Sequence, residues 1–186
     1  MICNKHSIFK YSIFIILFFW SPFAFAQNSL QKKILDQINN YRHGYALNRL
    51  VWDETIAKAS THHAKWLSIS HVRSHEETFD VKGIRTLETL QDRFDYYHCE
   101  AFNENITWVP NIAYIGLNNL TTEEIETELA KNAVDTWINS PGHRLNMLVK
   151  TNNTIIGAIG IGAVMYADST TYAIVMNVGV PTAIKK

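Results

Sequence analysis

Cysteine is almost missing from this 186-residue chain: Cys3 falls in an apolar leader, and Cys99 alone remains in the body. Once the leader is removed no intramolecular disulfide is possible, so the fold must be held by a packed core. An excess of either charge is missing as well. Lys+Arg and Asp+Glu both number 17, and removal of Lys5 and Lys10 with the leader leaves 15 basic side chains against 17 acidic ones. That balance gives no electrostatic basis for binding nucleic acid or an anionic membrane surface. No GxSxG elbow and no HExxH helix occurs, which removes two common hydrolase signatures. The sequence also has no internal repeat and no low-complexity linker, so residues 27–186 are read as one domain.

The leader has the layout of an export signal. Lys5 and Lys10 precede an apolar run from Tyr11 to Trp20, Pro22 breaks it, and Ala24-Phe25-Ala26 supplies the small-x-small pattern of a cleavage site. Cleavage is expected after Ala26, so that residues 1–26 are a signal peptide. The run is too short for a comfortable membrane span, and the mature protein is expected to be secreted or periplasmic with no stable membrane span.

Helical periodicity dominates the first half of the body. Asn28 to Gln31 form a capping box before Leu30, Ile34, Leu35, Ile38 and Tyr41, and this helix is expected to end near Gly44. Asp53 caps a second helix with an inward stripe of Ile56, Ala59, Ser60, His63 and Leu67, widened by Ala64 and Trp66, while His62 and Lys65 face out. Glu76 to Lys82 reads as a loop, and Thr86 is expected to cap a short helix carrying Leu87, Leu90 and Phe94. Pro110 limits the segment from Ile106 to Tyr114 to an edge strand or an irregular extended stretch. Thr121 and Glu124 form another capping box, opening a helix with Ile125, Leu129, Ala133 and Trp137 inward. The apolar, β-branched runs Ile155 to Met165 and Tyr172 to Val180 form an antiparallel hairpin. The glycines of its first strand imply close approach of a neighbouring backbone or helix. The fold class expected from this order is α+β, with helices stacked on a mostly antiparallel sheet.

The stretch that organises the rest is Val134 to Leu148, which ends the helix opened at Thr121 and restarts another before the hairpin. Ser140 stands where its hydroxyl can cap a new helix, Pro141 suits the first helical position, and His143 falls on the third. The positive field of a helix N-terminus disfavours imidazolium there, and neutral imidazole is the form that binds a metal or accepts a proton. His71 and His75 are four residues apart, with His71 read as solvated. His98-Cys99 is read as a semi-buried thiol rather than a catalytic pair, because adjacent side chains do not readily meet.

Five stretches then occur in a specific order: Ile38 to Trp52 (INNYRHGYALNRLVW), Ala59 to His75 ending in Ser74-His75, Asn103-Glu104-Asn105-Ile106, Trp137 to Leu148, and Ile156 to Gly162 with Asn177 to Gly179. Together they resemble the CAP superfamily, the cysteine-rich secretory, antigen 5 and pathogenesis-related proteins, in a compact bacterial-type form. The resemblance implies a three-layer α-β-α sandwich and a cleft lined by two histidines and two glutamates, sometimes holding a divalent metal. Matched by motif, the histidines are His75 and His143 and the first glutamate is Glu104. Ser140 occupies the position of the second glutamate, and Asn103 replaces the usual glycine, as a residue that adopts positive φ more readily than most.

Two imidazoles and one carboxylate make a sensible divalent-metal site, zinc above all, with His75, Glu104 and His143 as ligands. The alternative is that Glu104 only fixes an imidazole tautomer. The resemblance implies extracellular binding roles, sterol and lipid binding among them, more firmly than a reaction. The expected function is therefore an exported module that binds a small-molecule, lipid or protein ligand through the cleft. A metal-dependent peptide or ester hydrolase using His75, Glu104 and His143 is the alternative.

Overall fold

The computed structural model describes residues 28–114, 119–150 and 157–182. The leader lies outside the described residues, as do Ile155 and Ile156 at the expected start of the hairpin. The first helix, α1 (Ser29–His43), opens on the expected capping box: Gln31 N–H donates to Asn28 Oδ1 at 2.8 Å and Asn28 N–H to Gln31 Oε1 at 2.9 Å. A short strand β1 (Val51–Trp52) follows, and Asp53 then caps α2 (Glu54–Ser70) by accepting from the Thr55 and Ile56 amides. Helix α3 (Leu90–Tyr97) is capped by Thr89 instead of Thr86, because Thr89 and Asp92 form the reciprocal box and Leu87 is buried before the helix begins. Strand β2 (Glu100–Pro110) leads to α4 (Thr122–Asn139), which opens at the Thr121–Glu124 box, and to α5 (Pro141–Met147). Strands β3 (Ala158–Met165) and β4 (Thr171–Val180) are the hairpin.

The strands form one mixed four-stranded sheet in the order β1-β3-β4-β2. Strand β4 pairs antiparallel with β3 and β2, but β1 pairs parallel with β3, Val51 opposite Ala158. The expected mostly antiparallel sheet is corrected on this point. A two-residue strand has no periodicity of its own, and its partner is distant in sequence, so neither its existence nor its direction could be read locally. Strand β2 is an edge, as Pro110 requires, with the proline at its last position.

Helices cover both faces. Ile159, Ile161, Ile174, Met176 and Val178 pack against α1 and α4, burying Leu129, Ala133 and Trp137, while Ala173 and Val175 turn to α2 with Ala64, Trp66 and Leu67. The glycines of β3 bring α2 into backbone contact: a Cβ at Gly160 would lie 2.1 Å from Ala57 N, and one at Gly162 would lie 2.4 Å from Ser60 O. Cys99 is a buried thiol in a smaller cluster with Ile56 and Phe94. Arg42, buried in α1, donates through Nη1 to the Met147 and Val149 carbonyls at 2.7 and 2.9 Å and through Nε to the Asn48 carbonyl at 2.9 Å. This clamp fixes the end of α5, and hence the helix that carries His143. No helix among the described residues is long and apolar enough to cross a membrane.

Candidate functional site

The site is built on the edge strand. Glu104 pairs with Asn177 and Ile106 with Val175, so Glu104 projects on the α2 side of the sheet and its neighbour Asn105 projects on the α4 side. Helix α5 docks on that second side. Asn105 Nδ2 donates to the His143 carbonyl at 2.8 Å, and Asn146 Nδ2 donates to Asn105 Oδ1 at 2.8 Å and to the Glu104 carbonyl at 3.3 Å. Consecutive residues of one strand thus hold the two halves of the site. Asn103 does not use positive φ. The strand instead shifts register between Ala101 and Asn103, and Asn103 Oδ1 accepts from the Val178 amide at 3.1 Å.

His75 reaches Glu104 across the α2 side, with Nδ1 2.9 Å from Oε1. The His75 side chain is 58% exposed and that of Glu104 only 1%. A carboxylate only accepts, so Nδ1 donates and Nε2 is the ring nitrogen left for a ligand. Arg93 completes the arrangement: Nη2 lies 3.2 and 3.3 Å from the two Glu104 oxygens and 2.9 Å from the His75 carbonyl. Asn177 Nδ2 also donates to Glu104 Oε2 at 3.3 Å. Burial alone would raise the Glu104 pKa, but the His75 hydrogen bond and the charges of His63 and Arg93 hold it below the usual carboxylate range.

Behind this pair lies a charged cluster that the sequence pattern did not reveal. Glu77, expected in a polar loop, is buried, and so is His62, expected to face outward. Glu77 Oε1 lies 3.0 Å from His63 Nδ1, and Oε2 accepts from the Leu87 amide at 2.8 Å and from His62 Nε2 at 3.3 Å. Arg93 Nη1 is 3.8 Å from Glu77 Oε1. His63 Nε2 lies 3.0 Å from the Ser74 carbonyl. Both His63 nitrogens therefore face groups that only accept, and both contacts are hydrogen bonds only when the ring is doubly protonated. Arg93 lies between Glu77 and Glu104 and pairs with both, which is how charges can remain buried. Burial works against ionisation of Glu77, but the bonds from His62, His63 and Leu87 outweigh it and lower its pKa to about 2. The one sequence signal for this cluster was His63 on the inward stripe of α2. Nothing local marked Glu77 or Arg93.

His143 stands on the other side of β2. Its Nδ1 is buried without a hydrogen-bond partner among the described residues. Its pKa is lowered, first by desolvation and then by the charge of His75. Ser140 occupies the N-cap position of α5 without the expected side-chain cap bond. It is half-buried and contributes no carboxylate.

As a set of three direct metal ligands, His75, Glu104 and His143 do not fit. Both Glu104 oxygens are committed, the Arg93 cation already neutralises the carboxylate, and among the described residues no group of three His, Cys, Asp or Glu side chains is placed to hold an ion. Glu104 instead orients the His75 ring from behind.

The sequence profile of the cysteine-rich secretory protein family, CAP, matches residues 35–178, and the chain belongs to that family. Among solved structures, an extracellular protein from Bacillus anthracis str. Ames that contains an SCP domain is similar at 22% identity and a TM-score of 0.51, over 81% of this chain and 41% of that one. The present chain thus spans less than half of that protein. An outer surface protein from Borrelia burgdorferi is similar at 18% identity and a TM-score of 0.55, over 83% of this chain and 95% of that one. Both likenesses concern the fold. No curated protein matches in sequence.

Proposed function

We propose that this CAP protein is exported and acts outside the cytoplasm as a binding module, taking a ligand between His75 and His143 with Ser140 beside them. The observation that carries this reading is the pinned imidazole of His75. Glu104 and Arg93 fix its orientation from a buried position, while the His143 ring has a buried nitrogen without a hydrogen-bond partner among the described residues. Fixing a half-exposed ring this firmly is what presents Nε2 to a ligand at little further entropic cost. The leader and the descriptions of the two structural relatives, extracellular and outer surface, support export.

The matching ligand presents one polar group to two imidazoles, one of them kept neutral. A divalent ion held by His75 and His143 alone is the metal form of the same reading, with Glu104 as the outer carboxylate. Such an ion would supply Lewis-acid polarisation when bound.

The test uses mature, untagged protein and follows the ring resonances of His75 and His143 by NMR during titration with zinc, with a lipid extract and with short peptides. Joint movement of both sets of resonances, lost in His143→Ala with the fold intact, is the expected result. Peptide or ester turnover abolished by His143→Ala would replace the binding module by a hydrolase. Movement of neither ring with any of the three probes would remove the cleft as the binding site. N-terminal sequencing of exported protein is expected to begin at Gln27.

A further inference from the structure

A separate concavity of about 450 Å³ opens between α2 and the turn before α3, and none of His75, Glu104, Ser140 or His143 lines it. Its volume falls in the range of small-molecule sites. The turn is built for the purpose of covering α2: Val81 and Ile84 form an isolated bridge, Gly83 adopts φ +84° between them, and Ile84 and Arg85 are thereby set into the wall.

The lining has a consistent chemistry. Trp52, Tyr96 and Tyr97 supply aromatic surface, beside the small side chains of Ala57 and Thr61. Lys58 and Lys65 are two helical turns apart, so they rise on the same face of α2, and Arg85 comes from the opposite wall. The Arg85 guanidinium sits 5.1 Å from the centroid of Tyr96, which orders a cation at an aromatic surface. Neither Lys65 nor Arg85 belongs to an ion pair among the described residues.

The lining has one carboxylate beside Lys65 and Arg85. It is Glu54, which accepts from Trp52 Nε1 at 3.2 Å. His62 offers the pocket no vacant nitrogen, since Nδ1 is 3.1 Å from Tyr97 Oη and Nε2 faces Glu77. Rings for walls and the cations Lys65 and Arg85 at the rim suit an apolar planar body that carries negative charge, while Glu88, Asp92 and Asp95 lie with Arg85 in a second, adjoining concavity.

We propose that this pocket is a binding site for a small aromatic anion, a carboxylate or phosphate ester of one or two rings, with the ring against Trp52, Tyr96 and Tyr97 and the charge at Lys65 and Arg85. The pocket and the histidine cleft have no residue in common, so the two sites are separable by experiment.

The experiment is calorimetric and NMR titration of the mature protein with 2-naphthoate, 2-naphthyl phosphate and the uncharged 2-naphthamide. At least one anion is expected to bind at a single site about tenfold or more tightly than the amide, because the ring contacts are shared and only the charge differs. The preferred anion distinguishes a carboxylate from a phosphate ligand. The double variant Lys65→Glu/Arg85→Glu, both exposed positions, is expected to lose at least about tenfold in affinity, whereas Lys82→Glu in the same turn and His143→Ala are expected to retain it. No saturable binding up to about 10 mM, equal binding of the amide and both anions, or undiminished anion binding by the double variant would each overturn the proposal.

Discussion

Replacing Glu77 by Gln tests whether the buried charge cluster behind His75 is ionised. The substitution keeps the shape of the side chain and removes the charge that faces His62, His63 and, at 3.8 Å, Arg93. A carboxyl whose pKa falls from 4.5 to about 2 on folding favours the native state by up to about 3 kcal/mol near neutral pH. Loss of one partner from a buried pair falls in the same range, about 3 to 5 kcal/mol. The sign follows from proton binding. The unfolded carboxyl takes up its proton first, so the stabilisation is fully present above 4.5 and is lost as pH falls toward 2. The gap between wild type and Glu77→Gln is therefore expected to shrink from about 3 kcal/mol at a pH of about 7 to about 1 kcal/mol at a pH of about 3. Urea unfolding followed by circular dichroism, with equal slopes required for the comparison, measures the gap at each pH. A gap that stays constant over that interval, or a variant as stable as wild type at neutral pH, would refute an ionised Glu77.

Further predictions concern the elements that place the cleft. His143 is expected to titrate below 6.5, so acidification through 6.5 costs stability as the unfolded ring protonates first, and His75→Ala is expected to raise its pKa by removing the repulsion. Ring NMR titrations decide this, and an unchanged His143 in the variant would separate the two imidazoles. Gly160→Ala is expected to cost about 3 kcal/mol or more, since its Cβ would meet the α2 backbone at 2.1 Å, and thermal unfolding would reveal a tolerated alanine immediately. Asp53→Ala removes acceptors for the Thr55, Ile56 and Thr182 amides and is expected to lose about 2 kcal/mol at neutral pH. Burial raises the Asp53 pKa, but the bonds from the Thr55 hydroxyl and from the Thr182 and Ile56 amides outweigh it and lower the pKa, so its contribution should disappear on acidification below the ordinary value of 3.8. A loss independent of pH would assign the effect to packing.

Much of this protein is local in origin and was legible in the chain. The capping boxes at Asn28 and Thr121, the Asp53 cap, the helical stripes and the glycines that mark a close approach to β3 all follow from backbone hydrogen bonding and side-chain spacing within short windows, while the identity of the approaching element, α2, came from the fold. The ordered motifs also identified His75, Glu104 and His143 as candidates. What the windows could not contain was pairing between distant segments. The parallel β1–β3 contact, the burial of His62 and Glu77, and the grip of Arg93 on both Glu104 and the His75 carbonyl exist only after α2, α3 and β2 have packed together. Polar residues carry no periodic signal that separates a solvated charge from one neutralised by a remote partner, because Coulomb energy depends on position in space and surrounding dielectric. The sequence therefore determined which residues were candidates for the site. Tertiary packing decided that Glu104 stands behind His75 with its oxygens already committed to the His75 ring, Arg93 and Asn177.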